Sequence, residues 1–245
     1  MQDLKGKTVL ITGGARRLGR AMSLAMAGAG AQVAFTYLSS EEAARQTLEQ
    51  ISASGGAGFG VKCDVRQESY IVRTVDSVRD KFGGLDILIN NAGSFGTAPL
   101  EQIRVEQWDD MFATNVRGPF LFSRHATPEL RKSGGRIINL GSLGGEKPWA
   151  THAHYCSSKA ALHMLTQVMA KALAPEIAVN CVAPGMIDSG DRGDDAQLMQ
   201  KLAARSPMGK NGTPADVVDA VLYFATCSKF ITGQILTVDG GLGLV

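Results

Sequence analysis

An α/β fold is predicted, a doubly wound parallel sheet of seven strands with helices on both faces in a three-layer sandwich. Three observations predict it: seven short, continuously apolar runs, longer segments of helical spacing between them, and glycines gathered at the run ends. The runs are residues 8–12, 32–36, 60–63, 86–90, 136–140, 178–182 and 235–238. Each lacks the alternation of a strand with one wet face, so each is expected to be buried on both. Residues 18–29, 41–52, 69–82, 105–131 and 155–174 carry apolar side chains at helical intervals between them. Strands that alternate with helices pair in parallel through right-handed crossovers. Winding in two directions from the first strand leaves a crevice at the carboxyl ends of the strands, where a ligand is expected. Residues 185–211 break the rhythm, with Gly, Asp and Pro around a short helical piece at 196–204. That insertion, 186–211, reads as a substrate lid or as an ordinary surface excursion. No repeat, linker or composition shift divides residues 1–245, so a single domain is expected.

The composition narrows the function. With 25 Lys+Arg against 23 Asp+Glu, and no basic pair beyond Arg16-Arg17 and Arg131-Lys132, the chain has no electrostatic footprint for nucleic acid or an anionic membrane. The N-terminus lacks a signal-peptide pattern and no 18-residue apolar run exists, which predicts a soluble, cytoplasmic protein. Cys63, Cys156, Cys181 and Cys227 are scattered and show no metal spacing, so reduced thiols and no metal are expected. Glycine supplies 29 residues without a Gly-X-Y period or low-complexity tract, so its excess is a matter of placement at turns.

The first such turn, Thr12-Gly13-Gly14-Ala15-Arg16-Arg17-Leu18-Gly19, joins the first strand to the first helix. Glycines there let backbone approach a pyrophosphate, and the amides of the helix N-terminus face the anion. At the end of the second strand an NAD enzyme places an acid for the ribose 2′-hydroxyl. Here that region reads Thr36-Tyr37-Leu38-Ser39-Ser40, with nothing to repel a 2′-phosphate. Ser39 and Ser40 can donate to such a phosphate, or can cap the helix beginning at Glu41, and Arg16 and Arg17 supply charge. NADP(H) is therefore the expected cofactor.

Tyr155 and Lys159 lie at i and i+4 on one helix face. An ammonium beside a phenol favours the ionised form, which would bring Tyr155 toward proton transfer near neutral pH. Ser142 follows the fifth strand, Asn115 sits inside the preceding helix, Asn90-Asn91-Ala92-Gly93 ends the fourth strand and Cys63-Asp64-Val65 the third.

Taken together these motifs resemble the short-chain dehydrogenase/reductase family over essentially the whole chain, through Ile231-Thr232-Gly233-Gln234 and Val238-Asp239-Gly240-Gly241. The phosphate turn resembles the family's Thr-Gly-x-x-x-Gly-x-Gly, with Arg17 where the middle glycine stands. The resemblance implies a Rossmann-type dinucleotide-binding domain that reduces a small-molecule carbonyl to an alcohol. It implies Tyr155 as general acid/base, Lys159 as the group that lowers its pKa and holds the nicotinamide ribose, and Ser142 as polariser of the carbonyl. Asn115 would support a water relay to Lys159. Gly13, Arg16, Arg17, Leu18, Gly19, Tyr37, Ser39 and Ser40 would serve the phosphates and adenosine ribose, and Asp64 and Val65 the adenine. Asn91, Ala92 and Gly93 would meet ribose and backbone, and Pro184, Gly185, Ile187 and Ser189 would wall the nicotinamide. A homotetramer is also implied, with the long helices from Val105 and Tyr155 across an interface.

The substrate is less defined. Phe95, Ser142, Trp149, Tyr155 and Met186 are the expected pocket residues, with His152 and His154 in the same stretch as wall or packing. Beta-ketoacyl-acyl-carrier-protein reductases carry arginines where this chain has Ser133 and Pro175, which weakens that alternative. Pteridine reductases resemble the chain in Ala15-Arg16-Arg17-Leu18-Gly19, in Ser94-Phe95 and in Leu173-Ala174-Pro175-Glu176. They carry an aspartate against Ser142 and a serine against Gly93, so pterin reduction stands second. A non-catalytic NADP-binding sensor is the alternative of another class.

Overall fold

The computed structural model describes residues 3–190 and 196–245. Alternate residues of the central strands divide between two cores. Val9 and Ile11 of β1 (Thr8–Ile11), Val33 and Phe35 of β2 (Gln32–Tyr37), and Ile87 and Ile89 of β4 (Ile87–Asn90) turn to one face. Leu10, Ala34 and Leu88 turn to the other. The first face is covered by α1 (Arg17–Gly28) and α8 (Pro214–Thr226), through Met22, Met26, Val217 and Val221. The second is covered by α3 (Glu68–Phe82) and α5 (Gly118–Ser133), through Ile71, Val78, Phe122 and Leu130. Burial on both faces is what the uninterrupted apolar runs require.

The remaining strands, β3 (Gly58–Lys62), β5 (Arg136–Leu140), β6 (Ala178–Pro184) and β7 (Ile235–Val238), complete a seven-stranded sheet in the order β3-β2-β1-β4-β5-β6-β7. Every adjacent pair is parallel. The order reverses between β1 and β4, and the crevice opens at their carboxyl ends.

The elements depart from expectation in a few places. β3 begins two residues before the expected run because Gly58 and Phe59 already pair with Val33 and Ala34. The expected single helix over 105–131 is three pieces: α4 (Val105–Phe112), a π turn at Ala113–Arg117, then α5. α6 (Ala153–Ala172) starts ahead of Tyr155, which sits in its first turn. α8 was not among the expected helices; Thr213 and Asp216 cap it reciprocally, with Pro214 in the first turn. The expected lid is partly described: α7 (Ala196–Arg205) lies in it and residues 191–195 fall outside the described residues. Its ends are joined, since Gly212 N–H donates to Met186 O at 2.9 Å and Asp188 N–H to Gly212 O at 2.8 Å. Among the described residues no helix is long and apolar enough to cross a membrane, and no group of three or more metal-ligating side chains forms.

Candidate active site

The phosphate turn is held from both sides. Thr36 in β2 accepts the Gly13 N–H on its hydroxyl at 3.0 Å, and its carbonyl accepts the Gly14 N–H at 3.0 Å. From β4, the Asn91 amide donates to Thr12 O (2.8 Å) and Gly13 O (3.1 Å), while the Thr12 hydroxyl accepts the N–H groups of Asn91 and Ala92, each at 2.9 Å. Gly19 lies so close beneath Gly13 that any Cβ would strike the Gly13 carbonyl. Arg17 takes the left-handed conformation, φ 48°, and is alone in this among the described non-glycine residues. That is a conformation more usual for glycine than for arginine.

In front of this turn runs a cleft of about 700 Å³, lined by Gly13, Arg16, Arg17, Leu18, Gly19, Tyr37, Asp64, Val65, Asn91, Ala92 and Gly93 among others. Ser39 and Ser40 stand beside it. Ser40 precedes α2 (Glu41–Ala53) but makes no side-chain cap; its hydroxyl instead accepts from Arg16 at 3.5 Å. The Asp64 carboxylate is engaged by Arg66, which donates to Oδ2 at 2.8 Å from its terminal nitrogen and to Oδ1 at 3.0 Å from Nε. That hydrogen bonding holds the Asp64 carboxyl below its ordinary pKa against the opposing effect of burial.

A second cluster lies where β4, β5, the π turn and α6 meet. Asn115 is buried in the π turn, an insertion that widens one turn of an otherwise continuous helix. Its Oδ1 accepts the Ser94 N–H (2.7 Å), and its Nδ2 donates to Ser94 O (2.9 Å) and the Ser158 hydroxyl (3.0 Å). Lys159, one residue further along α6, is 6% exposed and donates from Nζ to Leu140 O at 2.8 Å. Burial lowers its pKa to about 8. A Cβ on Gly93 would lie 3.5 Å from Asn115 Oδ1 and 3.7 Å from Lys159 Nζ, so β4's end, the π turn and Lys159 converge at one point.

Ser142 follows β5 in extended conformation, its hydroxyl accepting the Gly144 N–H at 3.0 Å and standing near enough to the Tyr155 phenol to act on its pKa. Burial pushes the Tyr155 phenol above its ordinary pKa, and the nearby Ser142 hydroxyl partly opposes this. The lowering expected from Lys159 is not present in this geometry. The ammonium stands 5.9 Å from the centroid of the Tyr155 ring, and desolvation of a buried phenolate dominates.

Aromatic rings frame Tyr155. Phe95 meets it edge-on with centroids 4.8 Å apart, and Trp149 lies nearly parallel to it at 6.2 Å. His152 bridges the two, 5.1 Å from Phe95 and 5.3 Å from Trp149, with Thr97 Oγ1 at 3.0 Å from its Nε2. Phe95 is 62% exposed, unusual for so large an apolar side chain. His154 turns inward and packs against Gly96.

The family model described as enoyl-(acyl carrier protein) reductase matches residues 13–243. The chain is 36% identical over 249 residues to 3beta-hydroxysteroid dehydrogenase 1 of Eggerthella lenta, covering 99% of this chain and 95% of the relative. It is also 36% identical to the 3-oxoacyl-[acyl-carrier-protein] reductase FabG of Staphylococcus aureus, over 96% of this chain and 98% of that protein. The chain belongs to the short-chain dehydrogenase/reductase family. A 7α-hydroxysteroid dehydrogenase solved with NADH and 7-oxo glycochenodeoxycholic acid superimposes with a TM-score of 0.93 at 32% identity, covering 98% of this chain and 95% of that one. As a short-chain dehydrogenase/reductase the protein is an oxidoreductase of CH–OH and C=O groups that uses a nicotinamide cofactor.

The cleft suits that cofactor, since it begins at a glycine-rich turn without room for side chains and follows the strand ends to Gly93. Tyr155 and Lys159 stand beyond Gly93 in the second cluster. Pro184, Gly185, Ile187, Ser189 and Met186 lie further along the sheet edge. There Gly185 donates to Val238 O at 2.9 Å and Ile187 pairs with Gly212. Leu38, Cys63, Arg66, Ser94 and Thr114 line the cleft but were not among the expected site residues. Arg66 carried a signal, a cation two residues after Asp64; Thr114 reaches the cleft through the π turn, which no sequence period announces.

Proposed function

We propose that this chain reduces the carbonyl of a small, flat, largely apolar molecule to an alcohol, with NADPH as cofactor. The observation that carries this reading is the Tyr155 phenol, set beside the Ser142 hydroxyl and framed by Phe95 and Trp149. When bound, the reduced nicotinamide supplies the hydride that goes to the carbonyl carbon. Ser142 and Tyr155 donate hydrogen bonds to the carbonyl oxygen, where negative charge develops, and Tyr155 gives up its proton there. Lys159, charged below about pH 8 and 5.9 Å from the Tyr155 ring, is left the role of holding the nicotinamide ribose rather than lowering the phenol's pKa. Asn115 fixes the backbone beside Lys159 and supports the route by which Tyr155 regains a proton.

Toward the cofactor, Gly13, Arg16, Arg17, Leu18 and Gly19 face the phosphates, and Asp64 with Val65 the adenine. Asn91, Ala92 and Gly93 face ribose, and Pro184, Gly185, Ile187 and Ser189 the nicotinamide. The preference for NADPH rests on Arg16 and Ser40 meeting beside Tyr37, with no acid ending β2. Residues 1–245 act as one dinucleotide-binding domain. The exposed apolar residues Val105, Trp108, Phe120, Met164 and Val168 on α4, α5 and α6 support a homotetramer, and light scattering giving a monomer would contradict it.

Two relatives named for steroids fit an aromatic wall of this kind. A second reading, pterin reduction, is favoured by Phe95 lying against Tyr155, where a flat heterocycle would stack. The test is NADPH consumption with keto steroids, quinones, diketones, keto sugars, beta-ketoacyl thioesters and dihydropterins, repeated with NADH. Turnover of flat ketones or quinones, with higher kcat/KM for NADPH, is expected. Turnover of dihydropterins alone would replace the first reading with the second, and equal efficiency with NADH would remove the cofactor assignment.

A further inference from the structure

Behind Ser142 the chain has built a slot for one imidazole. His163 lies in α6, one helical turn beyond Lys159, 5% exposed and without a part in the chemistry above. A Cβ on Gly141 would collide with its Nε2, and a Cβ on Gly145 would lie 2.7 Å from its Cε1. The backbone on both sides of Ser142 therefore closes on the ring as only glycine permits.

The contact is polar as well as steric. β5 ends at Leu140, and Gly141 N–H still reaches the neighbouring strand at Val182 O (2.8 Å). The next donor, the N–H of Ser142, is buried and turns to Nε2 of His163 at 3.4 Å. A buried N–H needs an acceptor, and a ring nitrogen accepts only when unprotonated. The ring proton then sits on Nδ1, which faces the Glu146 carboxylate at 4.0 Å, and Glu146 accepts from the Thr237 hydroxyl of β7 at 3.2 Å. Burial first, and Lys159 second, lower the His163 pKa to about 4, so the accepting form prevails at neutral pH.

We propose that His163 is a positioning residue for Ser142: by accepting the Ser142 N–H and filling the slot between Gly141 and Gly145, it sets the hydroxyl that donates to the substrate carbonyl. This inference rests on the reading of Ser142 as a carbonyl donor. Ser142 itself uses its hydroxyl to accept from Gly144 and to meet Tyr155, so the backbone N–H is the handle left for orienting the residue.

The test is a double-mutant cycle on NADPH-dependent reduction of phenanthrenequinone, a flat diketone. His163→Leu keeps much of the volume and removes the acceptor. It is expected to lower kcat about tenfold, the scale of a misplaced catalytic group, with KM and NADPH affinity changed less than about twofold. In a Ser142→Ala background the same replacement is expected to cost nothing further. An equal loss of kcat in both backgrounds, or no loss in the first, would overturn the inference while leaving the catalytic reading intact. Ser142→Ala at wild-type turnover would overturn both. Should His163→Leu fail to fold, the amides decide. Gln places its oxygen near the Nε2 position and Asn near Nδ1, so His163→Gln is expected to retain turnover and His163→Asn to lose it; equal turnover of the two would contradict the proposal.

Discussion

Arg17 holds a backbone conformation that costs an ordinary residue about 1–2 kcal/mol, at the position where the family has glycine. Arg17→Gly is expected to leave Tm unchanged or slightly raised, because released strain offsets the added freedom of the unfolded chain. If the guanidinium serves the cofactor phosphates, NADPH affinity falls about tenfold, the scale of one charge-assisted hydrogen bond. A lower Tm with unchanged affinity, read by thermal unfolding and fluorescence titration, would mean the side chain acts in packing instead. Lys159 gives a second expectation at this scale. Its pKa is lowered to about 8, so the cation is present below that pH and lost above it. Carbonyl reduction is therefore expected to hold level from about pH 6 to 8 and to decline above, where a neutral amine donates a weaker hydrogen bond to the nicotinamide ribose. A profile that rises through pH 8 to 10 would show that the charge on Lys159 is not used.

The π turn is the element on which the second cluster depends. Asn115 satisfies both backbone groups of Ser94 and the hydroxyl of Ser158 from one buried amide, tying the loop after β4 to α6. Asn115→Leu leaves the Ser94 N–H and carbonyl without partners and removes a donor to Ser158, whose hydroxyl keeps its bond to Tyr155 O, and a loss of about 2–4 kcal/mol is expected in urea unfolding, as for several buried hydrogen bonds lost together. A loss below about 0.5 kcal/mol, the size of an ordinary surface change, would show that water takes the amide's place. The sequence pattern over 105–131 marks a helix correctly but has no feature that separates a π insertion from regular α-helix, because one extra residue leaves the apolar period on either side unchanged and moves only its phase. α8 shows the reverse case. Thr213-Pro214 and Asp216 are legible start signals, yet Ala, Val and Leu all round the helix blur the face on which a periodicity reading relies.

For the whole molecule, the sheet was legible because strands buried on both faces leave uninterrupted apolar runs and glycine marks where they stop. Winding in two directions from the first strand was expected from right-handed crossovers, and the strand order itself came from the structure. The cleft-lining turn, Asp64 with Val65 and Asn91 to Gly93 were equally legible, since each stands at a strand end in the order the motifs require. What sequence spacing does not carry is the reach of side chains across elements. Arg66 on Asp64, Phe95 and Trp149 on Tyr155, and His163 behind Ser142 each join segments distant along the chain or turn back within a loop. The Tyr155 and Lys159 pair illustrates the point: spacing placed them on one face, while the distance and the burial that set the phenol's pKa came only from the packing.

In the proposed function Tyr155 delivers the proton in a reduction driven by NADPH. That role is tested most directly by comparing kcat of wild type and Tyr155→Phe on a flat ketone or quinone, with NADPH affinity measured on the same samples. Removal of the general acid is expected to lower kcat by a factor of about 100 or more, with NADPH affinity within about twofold of wild type. Near-normal turnover by Tyr155→Phe would contradict the claim and assign the proton to another group.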